Sequence, residues 1–350
     1  MTYSVASGRR TVAIVQRPPA LLDLAEGISR AVEAIDESAG ADLVVFPETW
    51  LTGYPAWVFG MAGWGDPEGK YWYGRLLRES PIIGGAADFD DGLALIRAAA
   101  QRTRTTIVIG VNERTQAGGT LYNSLATLGP DGRLLNLHRK LVPTHTEKIV
   151  WGNGDAAGLR AVETPAGRVG GLVCWEHWMP LARQVLHADG EQVHVAAWPD
   201  TPELHEIVAR SYAREGGCFV ISAATFLTTD DVPPELINTY RAGVGSLAPA
   251  EGVLFDGGSS IAAPDGSWLV EPVRGYPELI IAEIDLDAID EAHTDLDVVG
   301  HYSRPELLAL RVDRSRRHGI QYHSDGTIPP SESQRMKSEA DTQSSNEEPE

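Results

Sequence analysis

The stretch Gly170-Gly171-Leu172-Val173-Cys174-Trp175-Glu176-His177-Trp178-Met179-Pro180 joins a short apolar run to one of only two cysteines in the chain. Pro180 prevents a strand from continuing, because proline lacks a backbone N–H and fixes φ. The stretch therefore predicts a buried strand that ends near a cysteine, with a carboxylate and an imidazole directly after it. A thiol in that place can be presented to a pocket at the edge of a sheet.

Short β-branched runs alternate with helical patterns on both sides of this stretch. Their periodicity predicts strands at 11–15, 42–46, 106–111, 121–128, 133–137, 168–175, 193–197, 218–223 and 279–284, and helices at 24–35, 92–104, 181–188 and 204–215. Strands that alternate with helices indicate an α/β fold. Two Pro-Asp-Gly turns, at 129–132 and 264–267, predict a hairpin in each half, so we expect mixed sheets.

No linker separates the two halves, and we therefore predict one catalytic domain over residues 1–312. A C-terminal extension follows at 313–323. The last segment, 324–350, is acidic, rich in Ser, Glu, Pro, Gln and Thr, and almost free of apolar residues. That composition predicts a disordered tail.

Composition argues against several classes of protein. The chain has 350 residues, of which 43% are hydrophobic, enough for a large core. A net charge of −20 argues against nucleic acid as a partner, because phosphate binding needs clustered Lys and Arg. Two cysteines make no disulfide framework, which favours a cytoplasmic location. Without a run of about 18 apolar residues we expect no membrane span, and without a CxxC or a His spacing typical of ligands, no metal and no cofactor.

Two further residues at predicted strand ends complement the cysteine: Glu48, after Val44-Val45-Phe46-Pro47, and Lys140, in His138-Arg139-Lys140-Leu141. Ligands in α/β sheets bind at the carboxyl ends of strands. A thiol is mostly protonated at neutral pH, so Cys174 needs a base, which a carboxylate can supply. An ammonium can stabilise charge that develops on the substrate. Together the three side chains indicate covalent attack on a carbon–nitrogen multiple bond or an amide.

The segments Phe46-Pro47-Glu48, His138-Arg139-Lys140-Leu141 and Cys174-Trp175-Glu176 resemble the three catalytic motifs of the nitrilase superfamily. The segment from Arg139 to Glu147 is similar to the true nitrilase branch, in which a second glutamate follows the lysine by seven residues. The segment from Val298 to Glu306 resembles a C-terminal motif of nitrilases, except that Asp is usual where Glu306 stands. The resemblance extends from about Thr11 to Val312.

The resemblance implies a four-layer αββα sandwich and a small-molecule nitrile as substrate. It also implies roles for four residues: Cys174 as nucleophile, Glu48 as general base, Lys140 as the stabiliser of developing charge, and Glu147 either as a holder of the cationic nitrogen or as a salt-bridge partner that orients Lys140. It further implies a homo-oligomer in which dimers extend into spirals.

Eight of the 25 aromatic residues of the chain lie between Trp50 and Tyr73, directly after Glu48. We expect a long loop here that forms an aromatic wall of the substrate pocket. The candidate substrate-binding residues are Tyr54, Trp57, Trp175, Glu176, His177 and Trp198. Such a pocket favours an aryl, arylaliphatic or medium-chain nitrile over cyanide.

Several alternatives stay open. A cyanide hydratase or dihydratase shares the same catalytic residues, and an aliphatic amidase or carbamoylase belongs to the same superfamily. The alternative outside enzymes is an inactive oligomeric scaffold. Within the site, His177 is the competing candidate for the base that activates Cys174, because thiol–imidazole pairs are common.

Overall fold

The first strand, β1 (Arg9–Gln16), shows why two sheets stack in this molecule. Val12 and Ile14 lie in a core that is shared with residues of the second sheet, whereas Ala13 and Val15 pack in a different core against helices. Successive side chains of a strand point to opposite faces, so this strand is covered on both sides. The computed structural model describes residues 8–61, 63–83, 91–116, 118–245 and 248–316, so the predicted tail at 324–350 lies outside the described residues.

Two mixed sheets form the centre of the fold. The first has the strand order β13-β1-β2-β3-β4-β5, and the second has the order β10-β11-β9-β8-β7-β6 with β12 paired to β11. The remaining strands are β2 (Leu43–Val45), β3 (Thr106–Arg114), β4 (Leu121–Leu128), β5 (Leu134–Arg139), β6 (Val162–Thr164), β7 (Gly167–Val173), β8 (Val193–Ala197), β9 (Phe219–Ala223), β10 (Phe226–Thr228), β11 (Val253–Ala262), β12 (Trp268–Arg274) and β13 (Glu278–Asp285). Strands β1, β2 and β3 run parallel, as do β7, β8 and β9. The flanking pairs are antiparallel: β3-β4, β4-β5 and β6-β7 join consecutive strands, whereas β1-β13 and β9-β11 join strands that are not consecutive.

Helices cover the outer face of each sheet. The helices of the described residues are α1 (Leu24–Glu37), α2 (Pro67–Glu79), α3 (Ala94–Thr103), α4 (Pro180–Ala188), α5 (Glu203–Gly216), α6 (Ile237–Val244) and α7 (Asp287–His293). Of these, α2 and α6 pack in a separate core with Tyr54 and Trp57. Ile35 of α1 and Ile96 of α3 pack with Val44 of the first sheet. Leu186 of α4 and Val208 of α5 pack with residues of the second sheet. The predicted αββα sandwich of two mixed sheets is confirmed. No helix in the described part of the chain is long and apolar enough to cross a membrane.

The prediction of one long loop from Trp50 to Tyr73 was wrong in its second half, where α2 begins at Pro67. The Asp66 side chain accepts a hydrogen bond from the Glu68 N–H, and Pro67 occupies the first turn. An N-cap aspartate followed by proline is a helix start signal. The aromatic density of the segment drew attention away from that signal.

Candidate active site

Three strand ends bring the candidate catalytic residues together. Strands β2 and β5 run in the same direction in the first sheet, so Glu48 and Lys140 follow them at the same edge. Cys174 follows β7 in the second sheet. The N–H of Glu48 donates to the carbonyl of Trp198, which follows the neighbouring strand β8, at 3.3 Å and so connects the two sheets. Glu48 and Lys140 are each 1% exposed and Cys174 is 4% exposed.

Lys140 joins two carboxylates in the core of the site. Its Nζ donates to Oε1 of Glu48 at 3.0 Å and to Oε2 of Glu147 at 2.9 Å. Asn123 on β4 donates from Nδ2 to the same Oε1 of Glu48 at 2.5 Å. The second oxygen of Glu48, Oε2, is buried and has no hydrogen-bond partner among the described residues. One carboxylate oxygen in the cluster is therefore left to accept a proton.

Burial sets the protonation of these groups. It raises the pKa of Glu48 to about 7, with Glu147 adding to the shift and Lys140 opposing it. Burial also raises the pKa of the Cys174 thiol well above its usual value, and the carboxylate of Glu48 adds to that shift. For Lys140 burial acts to lower the pKa, but the charges of Glu48, Cys174 and Glu147 outweigh it and raise the pKa. At neutral pH Lys140 is therefore an ammonium and Cys174 is a thiol, and Glu48 is partly ionised because the pH is close to its pKa.

Glu147, which pairs with Lys140, accepts further hydrogen bonds that hold its carboxylate in place. Its Oε1 accepts from the Tyr54 hydroxyl at 2.6 Å, and its Oε2 accepts from the Thr144 N–H at 2.6 Å. The second contact belongs to a capping box at the start of the 3₁₀ helix His145–Ile149. Because the same Oε2 also contacts Lys140, the salt bridge that orients the lysine is present in the structure. Tyr54 thus lies at the charged cluster, 6% exposed.

Cys174 lies in a strained turn. Strand β7 ends at Val173, two residues before the predicted end, and Cys174 begins a 3₁₀ helix, Cys174–Trp178, with φ +54°. A non-glycine residue at positive φ is uncommon and costs free energy unless its surroundings hold it there. Glu176 supplies part of that support: its two oxygens accept from the N–H of Val173 at 2.8 Å and from the N–H of Leu141 at 2.7 Å.

His138 completes the surroundings of Glu176, with Nε2 3.0 Å from Oε2. Burial acts to raise the pKa of Glu176, but His138 and the two backbone N–H donors outweigh it and lower the pKa. Glu176 therefore stays ionised and ties the cysteine turn to the segment that follows Lys140. Both oxygens of Glu176 accept hydrogen bonds from protein groups and the residue is 1% exposed, so Glu176 supports the cysteine turn from inside the protein.

His177 is also behind the nucleophile. Its Nδ1 lies 2.6 Å from the Cys174 carbonyl oxygen, and its Nε2 lies 3.0 Å from Nε2 of His194. Its ring stacks on Trp198 with 4.5 Å between centroids. Since both ring nitrogens are engaged, neither is available to take the thiol proton.

The other aromatic candidates occupy different surroundings. Trp175, next to the nucleophile, is 46% exposed, whereas Trp198 is fully buried. Trp57 is 2% exposed and lines a cavity of about 430 Å³ together with Tyr73 of α2 and Ile149, two residues after Glu147. None of Glu48, Lys140, Glu147 and Cys174 lines that cavity.

Sequence reasoning missed four polar residues that the fold places at the site: Asn123, His138, Glu191 and His194. His194 interrupts the otherwise apolar strand β8, and Asn123 is a buried amide within β4. A buried polar side chain in such a strand needs a partner, and this was the signal available. Glu191 and His194 are three positions apart, but Asn123 lies 75 positions from Glu48 and His194 lies 17 positions from His177, so no spacing connects them to the site.

One group of side chains has the proximity expected of metal ligands. Ligand atoms of His187, Glu191 and Cys218 lie within 4.8 Å of one another, all buried. Glu191 already accepts hydrogen bonds from Tyr212 and His194. Burial and the nearby charge of Glu191 raise the pKa of the Cys218 thiol well above its usual value, which disfavours the thiolate that a metal requires.

Comparison with known proteins places this architecture in a family. The family model described as carbon-nitrogen hydrolase matches residues 11–294. A protein named Nitrilase 3, from an unknown prokaryotic organism, is 37% identical over 311 residues, which cover 87% of this chain and 90% of that protein. The bifunctional nitrilase/nitrile hydratase NIT4A of Lupinus angustifolius is 37% identical over 318 residues, which cover 90% of this chain and 89% of that protein.

A solved structure has the same fold at low sequence identity. Nit3 of Saccharomyces cerevisiae, a member of branch 10 of the nitrilase superfamily, matches with a TM-score of 0.64 and 17% identity over 84% of this chain and 96% of that chain. The chain belongs to the carbon–nitrogen hydrolase family and, within it, to the nitrilase branch.

Proposed function

We propose that this protein hydrolyses organic nitriles to carboxylic acid and ammonia through a covalent bond to Cys174. The observation that carries the proposal is the buried cluster in which Lys140 contacts both Glu48 and Glu147 while Oε2 of Glu48 is left free. Such a cluster offers a base and a cation together, away from water, next to a thiol. The names of the relatives agree with this chemistry.

In the first half of the reaction, Glu48 accepts the thiol proton and the Cys174 sulfur forms a bond to the nitrile carbon. The proton then passes to the nitrile nitrogen, which gives a thioimidate. Negative charge develops on that nitrogen during attack, and we assign its stabilisation to Lys140 and to the backbone N–H of Trp175. Positioned acid–base groups of this kind contribute about 10²–10⁴-fold in rate.

In the second half, Glu48 deprotonates a water that adds to the thioimidate carbon. Cleavage of the carbon–nitrogen bond releases ammonia and leaves a thioester, which a second water hydrolyses to the acid and the free thiol. Cleavage of the carbon–sulfur bond instead releases an amide. We propose that the carboxylate charge of Glu147, which offsets the Lys140 ammonium, stabilises a cationic nitrogen on the intermediate and so favours the acid. The name of the bifunctional nitrilase/nitrile hydratase relative supports considering both products.

We propose an aryl, arylaliphatic or medium-chain nitrile as substrate, because Trp175 is exposed beside the nucleophile and Tyr54 lies at the charged cluster. Trp57 and Trp198 are proposed to bound the pocket. Cyanide has no apolar surface that such walls would bury.

We also propose that the protein acts in the cytoplasm as a homo-oligomer of dimers that extend into spirals. Leu181 of α4 is 66% exposed and lines a groove of about 1150 Å³ together with Leu307 and Leu308. These exposed leucines are apolar surface that a second copy of the chain could cover, so the groove supports self-association. Sedimentation velocity on the full chain tests this, and a monomer at all concentrations would contradict it.

A nitrile panel with acid, amide and ammonia quantified tests the proposed reaction. The panel contains benzonitrile, phenylacetonitrile, a medium-chain aliphatic nitrile, cyanide and the matching amides. We expect turnover of an organic nitrile by the wild-type protein and none by Cys174→Ala, which removes the sulfur while keeping the fold. Substantial hydrolysis by Cys174→Ala would overturn the covalent mechanism. Faster turnover of cyanide or of the amides would favour the corresponding relative.

A further inference from the structure

A second line of buried polar groups reaches the nucleophile from the opposite side to Lys140. Oε2 of Glu191 lies 2.9 Å from Nδ1 of His194, Nε2 of His194 lies 3.0 Å from Nε2 of His177, and Nδ1 of His177 lies 2.6 Å from the carbonyl oxygen of Cys174. We call Glu191, His194 and His177 the histidine chain. The two histidines are fully buried and Glu191 is 5% exposed.

The partners assign a proton to each position of the histidine chain. A carbonyl oxygen only accepts, so Nδ1 of His177 carries a hydrogen. Burial and the neighbouring His194 lower the pKa of His177 well below its usual value, so this ring is neutral and its Nε2 accepts. The hydrogen between the two rings therefore belongs to Nε2 of His194.

The other end of the chain is a carboxylate. Burial acts to raise the pKa of Glu191, but His194 and His187 outweigh it and lower the pKa to about 2. Glu191 therefore accepts from Nδ1 of His194. Nε2 of His194 and Nδ1 of His177 donate toward Cys174, whereas Nδ1 of His194 donates toward Glu191.

The surroundings hold the histidine chain in one arrangement. The Tyr212 hydroxyl donates to Oε1 of Glu191, and Nδ1 of His187 lies 3.2 Å from the same oxygen. The Tyr212 ring stacks on His194 with 3.8 Å between centroids. Arg183 donates from Nη1 to the His177 carbonyl at 2.9 Å, and its charge is paired with Glu215.

The carbonyl that the chain holds determines where a catalytic N–H points. The C=O of Cys174 and the N–H of Trp175 belong to one planar trans peptide, so they point in opposite directions. Trp175 is the second residue of the 3₁₀ helix Cys174–Trp178, where an N–H has no carbonyl partner within the helix. Cys174 has φ +54°, a conformation that needs outside support.

We infer that Glu191, His194 and His177 are positioning residues that fix the Cys174–Trp175 peptide and thereby aim the Trp175 N–H at the charge that develops on the substrate. This inference rests on the proposed function, in which that N–H stabilises the charge. The histidine chain does not accept the thiol proton, and it contacts no substrate.

The test separates charge stabilisation from thiol reactivity in the full-length protein. His194→Phe keeps an aromatic ring stacked on Tyr212 but removes the donor that fixes the tautomer of His177. We expect kcat for the best nitrile to fall at least tenfold with KM within about twofold, since removing one donor of this type costs about 10²–10³-fold. The rate of Cys174 alkylation by iodoacetamide should stay within about threefold, because that displacement places no charge at the Trp175 N–H.

Two matched variants complete the test. Gln at position 191 can accept from Tyr212 and donate to Nδ1 of His194, so Glu191→Gln reverses that one hydrogen bond. It preserves the direction of the two hydrogen bonds between His194 and the Cys174 carbonyl, and should therefore keep kcat within about threefold. Cys218→Ala removes another buried group of the same region, which lies outside the histidine chain, and should leave kcat unchanged.

Each possible result either supports or contradicts the positioning role of the histidine chain. Equal losses of turnover and alkylation in His194→Phe would show a purely structural role, and unchanged turnover would show no role. A loss in Glu191→Gln as large as in His194→Phe would show that charge, and not direction, matters, which also overturns the inference. If His194→Phe does not fold, His177→Phe, whose ring can stack on Trp198, must show the same separation of kcat from alkylation. A wild-type protein inactive on every nitrile would instead contradict the proposed function.

Discussion

Two buried glutamates flank the cysteine and behave in opposite ways. Glu48 lies beside the ammonium of Lys140, and Glu191 lies beside the ring of His194, with exposures of 1% and 5%. The pKa of Glu48 is raised to about 7, whereas the pKa of Glu191 is lowered to about 2. Burial acts to raise both values, so the difference lies in the partners.

The two glutamates differ in how many hydrogen-bond donors they have and in whether a second carboxylate shares the cation. Glu48 shares its cation with a second carboxylate, Glu147, and its Oε2 has no partner among the described residues. Both oxygens of Glu191 accept, one from His194 and one from Tyr212. A buried carboxylate that lacks donors binds a proton readily, while one that is saturated stays ionised and rigid. The arrangement around Glu48 suits a general base, and the arrangement around Glu191 suits a residue that positions its neighbours.

The largest expected effect is the loss of activity in Glu48→Gln, compared with the same substitution at Glu191 in a second variant. Glu48→Gln should lower kcat/KM by about 10²–10⁴-fold, because an amide cannot take the thiol proton. Glu191→Gln should lower it by less than about threefold for the reason given above. Steady-state kinetics on one nitrile, with circular dichroism as the control for folding, measures both. Comparable losses at the two positions would remove the distinction between base and support.

A smaller effect is expected from pH on the wild-type protein. Glu48 acts as a base only when ionised, and its pKa lies near 7 in place of the ordinary 4.5. The value of kcat/KM should therefore fall about tenfold per pH unit below about pH 7 and level off above it. A profile from pH 5 to pH 9 measures this, with circular dichroism at each pH as the control for folding. Full activity at pH 5 would show that the pKa of Glu48 is not raised.

The smallest effect is expected from Glu147→Gln, which leaves Lys140 paired with Glu48 alone. The site loses a negative charge that offsets the Lys140 ammonium, so a cationic nitrogen on the intermediate is stabilised less well. We expect the amide share of the product to rise severalfold while total turnover falls by about tenfold or less. Chromatographic measurement of acid and amide from one nitrile tests this, with Lys148→Gln as a surface control. An unchanged product ratio would limit Glu147 to orienting Lys140.

Much of the fold was predictable because its signals are local. Strand β4 was predicted with its observed bounds, and α1, α4 and α5 were predicted to within a few residues. β-branched runs and helical periodicity depend on neighbours within one turn or one strand. Helix α2 was missed although its start signal, Asp66-Pro67, is equally local, because the aromatic residues around it suggested a pocket wall.

The sequence by itself determined the family, the class of chemistry and the three strand-end residues Glu48, Lys140 and Cys174, because residue type and motif order are properties of the chain. Only the tertiary structure decided what each residue experiences. Lys140 meets Glu48 from 92 positions away, and Cys174 adopts positive φ because distant groups hold its turn. Glu191 and His194 gained a place in the site in the same way. The physical reason is that burial and the number of hydrogen-bond donors fix a pKa, and packing alone sets both.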